Sequence, residues 1–92
     1  MHLLIDVTNA EYVERYKLLI TFDDGARKIV DLETYLDGEV FLPLRNVDFF
    51  KNFIVNKDTG TVEWSNQADF SPDFLYEIGK TVEQPIASVQ QD

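Results

Sequence analysis

The amino-acid sequence predicts one small α+β domain: a four- to five-stranded antiparallel sheet, made of a meander plus a hairpin, with two short helices on it. Three observations predict it. Apolar residues alternate on both sides of Asp23-Asp24-Gly25, they alternate again around Lys57-Asp58-Thr59-Gly60, and Ser71-Pro72-Asp73 opens a short segment with helical spacing. At 92 residues the chain is of one-domain size, and its 45% hydrophobic content supplies one core without covalent staples.

Taken in order, Leu3 to Val7 reads as a first strand. Tyr16, Leu18, Ile20 and Phe22 then form one apolar set, and Ala26, Lys28, Val30 and Leu32 form a matching set after the turn. A two-residue loop at Asp24-Gly25 would set Leu18 opposite Asp31. A three-residue loop instead sets Phe22 opposite Ala26, Leu18 opposite Val30 and Tyr16 opposite Leu32, which keeps the apolar sets on one face. It also puts Gly25 at the left-handed position such a loop requires. Asn46 is read as the cap of a short helix over Val47-Asp48-Phe49-Phe50-Lys51. The second hairpin sets Val55 opposite Val62 and Phe53 opposite Trp64, with Gly60 at a positive φ and the Ile54/Glu63 face partly wet. In the last helix Ser71 is the cap, Pro72 the first helical residue and Gly79 the residue past the end, while Phe74, Leu75 and Ile78 form the docking stripe. The domain is placed at residues 1–79, and the polar stretch 80–92 is read as a flexible tail.

Composition removes several classes of function. With no cysteine there is no disulfide, thiolate metal site or cysteine nucleophile, and the chain suits a reducing compartment. Apolar runs are three or four residues long and the N-terminus lacks a basic, then apolar, leader, so the expectation is a cytoplasmic protein with no membrane association. Seventeen acidic residues against eight basic ones give a net charge of −9, which argues against direct nucleic-acid binding and leaves a basic protein as the expected partner.

Residues suited to catalysis or metal binding are few. His2 is the single histidine and stands beside Met1, where an imidazole has no positioned partner. Asn56-Lys57-Asp58-Thr59-Gly60 imitates the start of a calcium loop, but the glycine comes one place early and Gln67 occupies the twelfth position where Glu is needed. A hairpin turn explains the same residues. The carboxylate pairs Asp23/Asp24, Asp31/Glu33 and Asp37/Glu39 fall at turns and strand ends, where solvation is the default. No nucleotide, hydrolase or zinc-protease motif occurs, and no cofactor is expected.

Residues 60–77 are the most individual stretch. Trp64, Asn66, Asp69, Phe70 and Tyr76 combine large aromatics with polar groups at a strand-to-helix connection, the composition of a binding hot spot, and they are the candidate interaction residues. The competing reading makes Trp64 and Phe70 core, gives Asn66 or Asp69 to loop amides, and leaves the Tyr76 hydroxyl in water.

The same stretch resembles the signature of a bacterial family known as domain of unknown function 2442. Gly60, Val62 and Trp64 match its hairpin strand, Asn66, Ala68 and Asp69 its turn, and Phe70, Pro72, Asp73, Leu75 and Tyr76 its helix start. Phe22, Asp24, Gly25, Val30, Asp31 and Leu32 match its earlier pattern, and Pro43-Leu44 its middle, so the resemblance covers residues from about 16 to 77. One departure is Gln67, which stands where many relatives have glycine and so predicts a different backbone in that turn. The resemblance implies a small α+β fold with no established catalytic residues. It also implies relatives that are fused to a DNA-binding helix-turn-helix domain or occur in toxin–antitoxin-like gene pairs, and at this length the expectation is the partner arrangement and not the fused domain.

The functional expectation is a non-catalytic protein-interaction module, accessory or antitoxin-like, that uses an acidic face and the Trp64 to Tyr76 edge. Two rival expectations are a small-ligand or metal-dependent enzyme with Asp31, Asp69 and Tyr76 brought together, and a structural homodimer paired through an open sheet edge.

Overall fold

A computed structural model of the chain describes residues 5–82. Its strands are β1 (Val7–Glu14), β2 (Lys17–Phe22), β3 (Arg27–Asp31), β4 (Ile54–Asn56), β5 (Thr61–Glu63) and β6 (Lys80–Thr81); its helices are α1 (Gly38–Phe41), α2 (Val47–Phe50) and α3 (Pro72–Ile78). The α+β class follows. Four strands form an antiparallel sheet in the order β1-β2-β3-β6, and β4 and β5 form a separate two-stranded sheet.

The first hairpin takes the register that keeps its apolar residues together. Leu18 lies opposite Val30, the Phe22 amide donates to the Ala26 carbonyl at 2.9 Å, and the Leu32 amide donates to the Tyr16 carbonyl at 2.9 Å. Gly25 has φ +89° in the three-residue loop. Leu18, Ile20, Phe22, Val30 and Leu32 are consequently buried on one face. In the second hairpin Val55 lies opposite Val62, Gly60 has φ +73°, and the Phe53 ring meets the Trp64 ring edge-on at 6.3 Å.

The first strand differs from the reading of Leu3 to Val7. Residues 1–4, with Leu3, Leu4 and His2, lie outside the described residues, and the strand begins at Val7 and runs to Glu14. Its apolar residues do not keep one phase. Val7 faces Phe22 but Asn9 faces Thr21, so the extra residue Thr8 moves the inward set from Val7 to Ala10 and Tyr12. A second irregularity follows between Tyr12 and Glu14, and the link to β2 is the two-residue turn Arg15-Tyr16, with Arg15 at φ +49°. Neither residue is a usual turn former, and the shifted phase hides the alternation.

The other end of the chain also differs. Lys80 and Thr81, read as tail, add a fourth strand beside β3, with Ile29 opposite Lys80 and Lys28 opposite Thr81, and the Val82 amide donates to the Arg27 carbonyl at 2.9 Å. The remainder of the expected tail, residues 83–92, lies outside the described residues. Gly79 is not left-handed: its φ is −73°. It is small because a Cβ there would lie 2.8 Å from the Lys28 Cβ.

Both expected helices form with their expected caps. Asn46 Oδ1 accepts from the amides of Asp48 (2.9 Å) and Phe49 (3.3 Å), and Ser71 Oγ accepts from the Phe74 amide at 3.2 Å. α1 and the two 3-10 turns at Glu33–Tyr35 and Leu42–Arg45 have no counterpart among the expected elements. Leu36 and Leu44 anchor this connection in the core. A row of rings crosses the inner face of the sheet: Phe50 touches Tyr12 (6.2 Å), Tyr16 (5.4 Å) and Trp64 (5.6 Å), Trp64 touches Phe70 (6.1 Å), and Phe70 stacks with Phe41 (4.7 Å) and Phe74 (5.7 Å).

Candidate functional site

The candidate residues of 64–76 are organised by a turn that the chain uses twice. In Phe22-Asp23-Asp24-Gly25-Ala26 the first amide donates to the last carbonyl at 2.9 Å, the fourth amide donates to the first carbonyl at 3.0 Å, and the Ala26 amide donates to Asp24 Oδ1 at 2.9 Å. Trp64-Ser65-Asn66-Gln67-Ala68 repeats all three bonds, at 2.9, 2.8 and 3.1 Å. Gln67 has φ +72°, the counterpart of Gly25. Gln67 thus adopts the left-handed conformation that glycine adopts in the first copy, and carries its steric cost. Residues 63–69 are consequently a hairpin in miniature, with Glu63 bridged to Asp69, and not a simple strand-to-helix link.

Each copy of the turn ties down a different helix through its third residue. Asp24 Oδ2 accepts from the Tyr76 hydroxyl at 2.7 Å, which fixes α3 to the first hairpin. Asn66 Nδ2 donates to the Val40 carbonyl at 2.9 Å, which fixes α1 to the second. A carboxylate suits the phenol and an amide suits the carbonyl. The Tyr76 hydrogen bond, followed by the Ala26 amide, holds the Asp24 carboxyl below its ordinary pKa, and the same bond raises that of Tyr76. Lys28 completes the clasp: its Nζ lies 3.8 Å from the centre of the Tyr76 ring and donates to the Tyr76 carbonyl at 2.7 Å.

The candidate interaction residues therefore divide. Trp64 is 2% exposed and its Nε1–H donates to the Phe50 carbonyl at 2.8 Å, and Phe70 is 8% exposed within the aromatic row. Both rings are buried in the folded chain. Asn66 and Tyr76 are occupied as clasps between elements. Asp69 alone of the five offers an exposed polar side chain with no hydrogen-bond or ion-pair partner among the described residues.

Asp31, Asp69 and Tyr76 do not come together. Asp31 stands at the end of β3 remote from the turn, where its Oδ1 accepts the Glu33 amide at 3.0 Å. Tyr76 bonds Asp24 at the turn itself, and Asp69 lies beside β5 in the other sheet. No three of His, Cys, Asp and Glu converge among the described residues. The imitation calcium loop is a turn: Asn56 Oδ1 accepts from the amides of Asp58 (2.8 Å) and Thr59 (3.3 Å), and its Nδ2 donates to Glu63 Oε2 at 3.1 Å. Among the described residues no helix is long and apolar enough to cross a membrane.

Asp69 belongs to a groove of about 410 Å³ along the outer side of the second hairpin. Trp64 forms part of its wall, Glu63 and Asp69 supply charge, Asn52, Ser65 and Gln67 supply uncharged polar groups, and Ile54, 57% exposed, supplies an apolar rim. The partly wet Ile54/Glu63 face expected from the sequence is this surface. Its link to Asp69 was not legible, because only the turn at 64–68 folds Asp69 back beside Glu63.

No curated protein and no solved structure matches this chain significantly. The family model described as "Protein of unknown function (DUF2442)" matches residues 7–81, from the first residue of β1 to the last of β6, and the chain belongs to that family.

Proposed function

We propose that this protein is a non-catalytic interaction module that binds a small basic protein through the Glu63/Asp69 groove, in an accessory, antitoxin-like role within a bacterial gene pair. The observation that carries the reading is the pairing of Glu63 with Asp69. They stand opposite each other across an antiparallel bridge, and like charges so placed repel. Among the described residues neither has a cationic ion-pair partner. A Lys or Arg of a partner laid in the groove relieves that repulsion while its neighbouring apolar residue covers Ile54. The chain's net charge of −9 steers such a partner toward the surface.

The homodimer reading has less support. The long outer strand β1 is irregular at two places, and such interruptions weaken a sheet edge as a pairing template.

The test is affinity capture from the native host at native abundance, with the wild type beside a Glu63→Gln/Asp69→Asn variant. A basic protein retained by the wild type, released by salt and lost by the variant is the expected result. Retention of no specific partner, or equal retention by both, removes the proposal.

A further inference from the structure

A second groove, of about 330 Å³, lies along the β3 side of the four-stranded sheet, and the strand residues of its floor are on the sheet face turned away from the core. Its floor is fixed by strand register. Lys17 of β2 lies opposite Asp31 of β3, Ile29 is two residues from Asp31 and so on the same face, and Lys80 of β6 lies opposite Ile29. The walls are Ile78 at the end of α3 and Thr34 and Tyr35 from the 3-10 turn. The groove-lining residues thus carry two ammonium groups, one carboxylate, two hydroxyls and three apolar or aromatic surfaces, and the groove is within the size range of small-molecule sites.

The charges differ in how far they are committed. Lys80 has no hydrogen-bond or ion-pair partner among the described residues. Lys17 is 3.6 Å from Glu14, with both side chains exposed, a contact weak enough to exchange. Asp31 is oriented by the Glu33 amide on Oδ1, which leaves Oδ2 for a cation. Arg15, two residues before Lys17, is held by Glu33 at 3.0 Å.

We infer that this groove binds a small zwitterion of the α-amino-acid class. Lys80 and Lys17 receive the carboxylate, Asp31 Oδ2 receives the ammonium group, and Ile29, Ile78 and Tyr35 cover an apolar side chain. A plain anion meets repulsion from Asp31 and a plain amine meets it from the two lysines, so the mixed lining selects a ligand carrying both charges. The site is independent of the Glu63/Asp69 groove, which lies on the other sheet.

The test is a titration of the full-length ¹⁵N-labelled protein followed by amide shifts, using leucine, isoamylamine (no carboxylate), N-acetylleucine (no ammonium) and sodium acetate as probes. Leucine is expected to give saturable shifts at Asp31, Tyr35, Ile78 and Lys80, with each single-charge probe about tenfold weaker. Lys80→Met and Asp31→Asn are expected to weaken leucine about tenfold, since each removes one charged contact. Asn at position 31 retains an acceptor for the Glu33 amide, so the turn is preserved, and Lys17→Met supplies a second test of the carboxylate contact. Absence of saturable shifts at these residues, equal binding of leucine and N-acetylleucine, or wild-type affinity in both the position-80 and position-31 variants overturns the assignment.

Discussion

Asp24 and Asn66 occupy the same place in two copies of one turn, yet their side chains are not interchangeable. Asp24 accepts a phenol proton from Tyr76, and Asn66 gives an amide proton to Val40. Asn66→Asp replaces a donor by a second acceptor facing a carbonyl, and is expected to lower stability by about 1 kcal/mol in urea unfolding. Gln67 is the weak point of the second copy, because a side chain at φ +72° crowds its own backbone. Gln67→Gly is therefore expected to stabilise the protein by about 0.5–1 kcal/mol, measured in the same way; a loss on substitution contradicts this account of the strain. The Tyr76–Asp24 bond also makes a pH prediction. Asp24 has a depressed folded pKa, so its contribution is complete above the ordinary value of 3.8 and fades as pH falls through the folded value. Tyr76 has a raised pKa, so its contribution is complete below 10.0 and fades as pH rises through the folded value. The stability difference between wild type and Tyr76→Phe is accordingly expected to be level from about pH 5 to pH 9 and to narrow at both extremes, as thermal melts across pH would show.

At the scale of elements, the fold depends on how α3 hands the chain to β6. Gly79 passes so close to β3 that a Cβ would lie 2.8 Å from the Lys28 Cβ and 3.0 Å from the Leu75 carbonyl oxygen. Lys28 cannot retreat, since it is paired with Ile20 on one side and Thr81 on the other. Gly79→Ala is expected to cost about 1–3 kcal/mol and to raise hydrogen exchange at Lys80 to Val82 first, because β6 is the strand that must move. A residue past a helix end that merely needed a left-handed φ would give no such local signature. The caps of α2 and α3 follow from local chemistry alone, as Asn46 and Ser71 show, and they were legible from sequence. The pairing of β6 was not: Lys80-Thr81 has no apolar alternation, and its place in the sheet comes from the direction in which α3 delivers it.

Across the whole molecule, Trp64 ties the second hairpin to α2 and to the ring row of the core. It belongs to the second hairpin, contacts the rings of Phe50, Phe53 and Phe70, and donates to the Phe50 carbonyl, where α2 ends. Trp64→Phe leaves that buried carbonyl without its donor and opens a gap in the row of rings. A loss of about 2–4 kcal/mol is expected in denaturant unfolding, a large share of the about 5–15 kcal/mol available to a small domain. The two hairpin registers, the two helix caps, the α+β class and the excess of acidic charge were determined by the sequence itself, because they depend on period, turn chemistry and composition within a few residues. The candidate surface was not. Trp64 and Phe70 have hot-spot composition, but the tertiary structure turns both inward, and the repeated turn, with glutamine in its glycine position, brings Asp69 beside Glu63. β1 and β6 were also decided by the folded molecule, since a one-residue bulge at Thr8 reverses which side chains face the core and the end of α3 aims Lys80 at β3. Local pattern is read within one strand or one turn, whereas which residues meet between elements depends on the path of the chain through space.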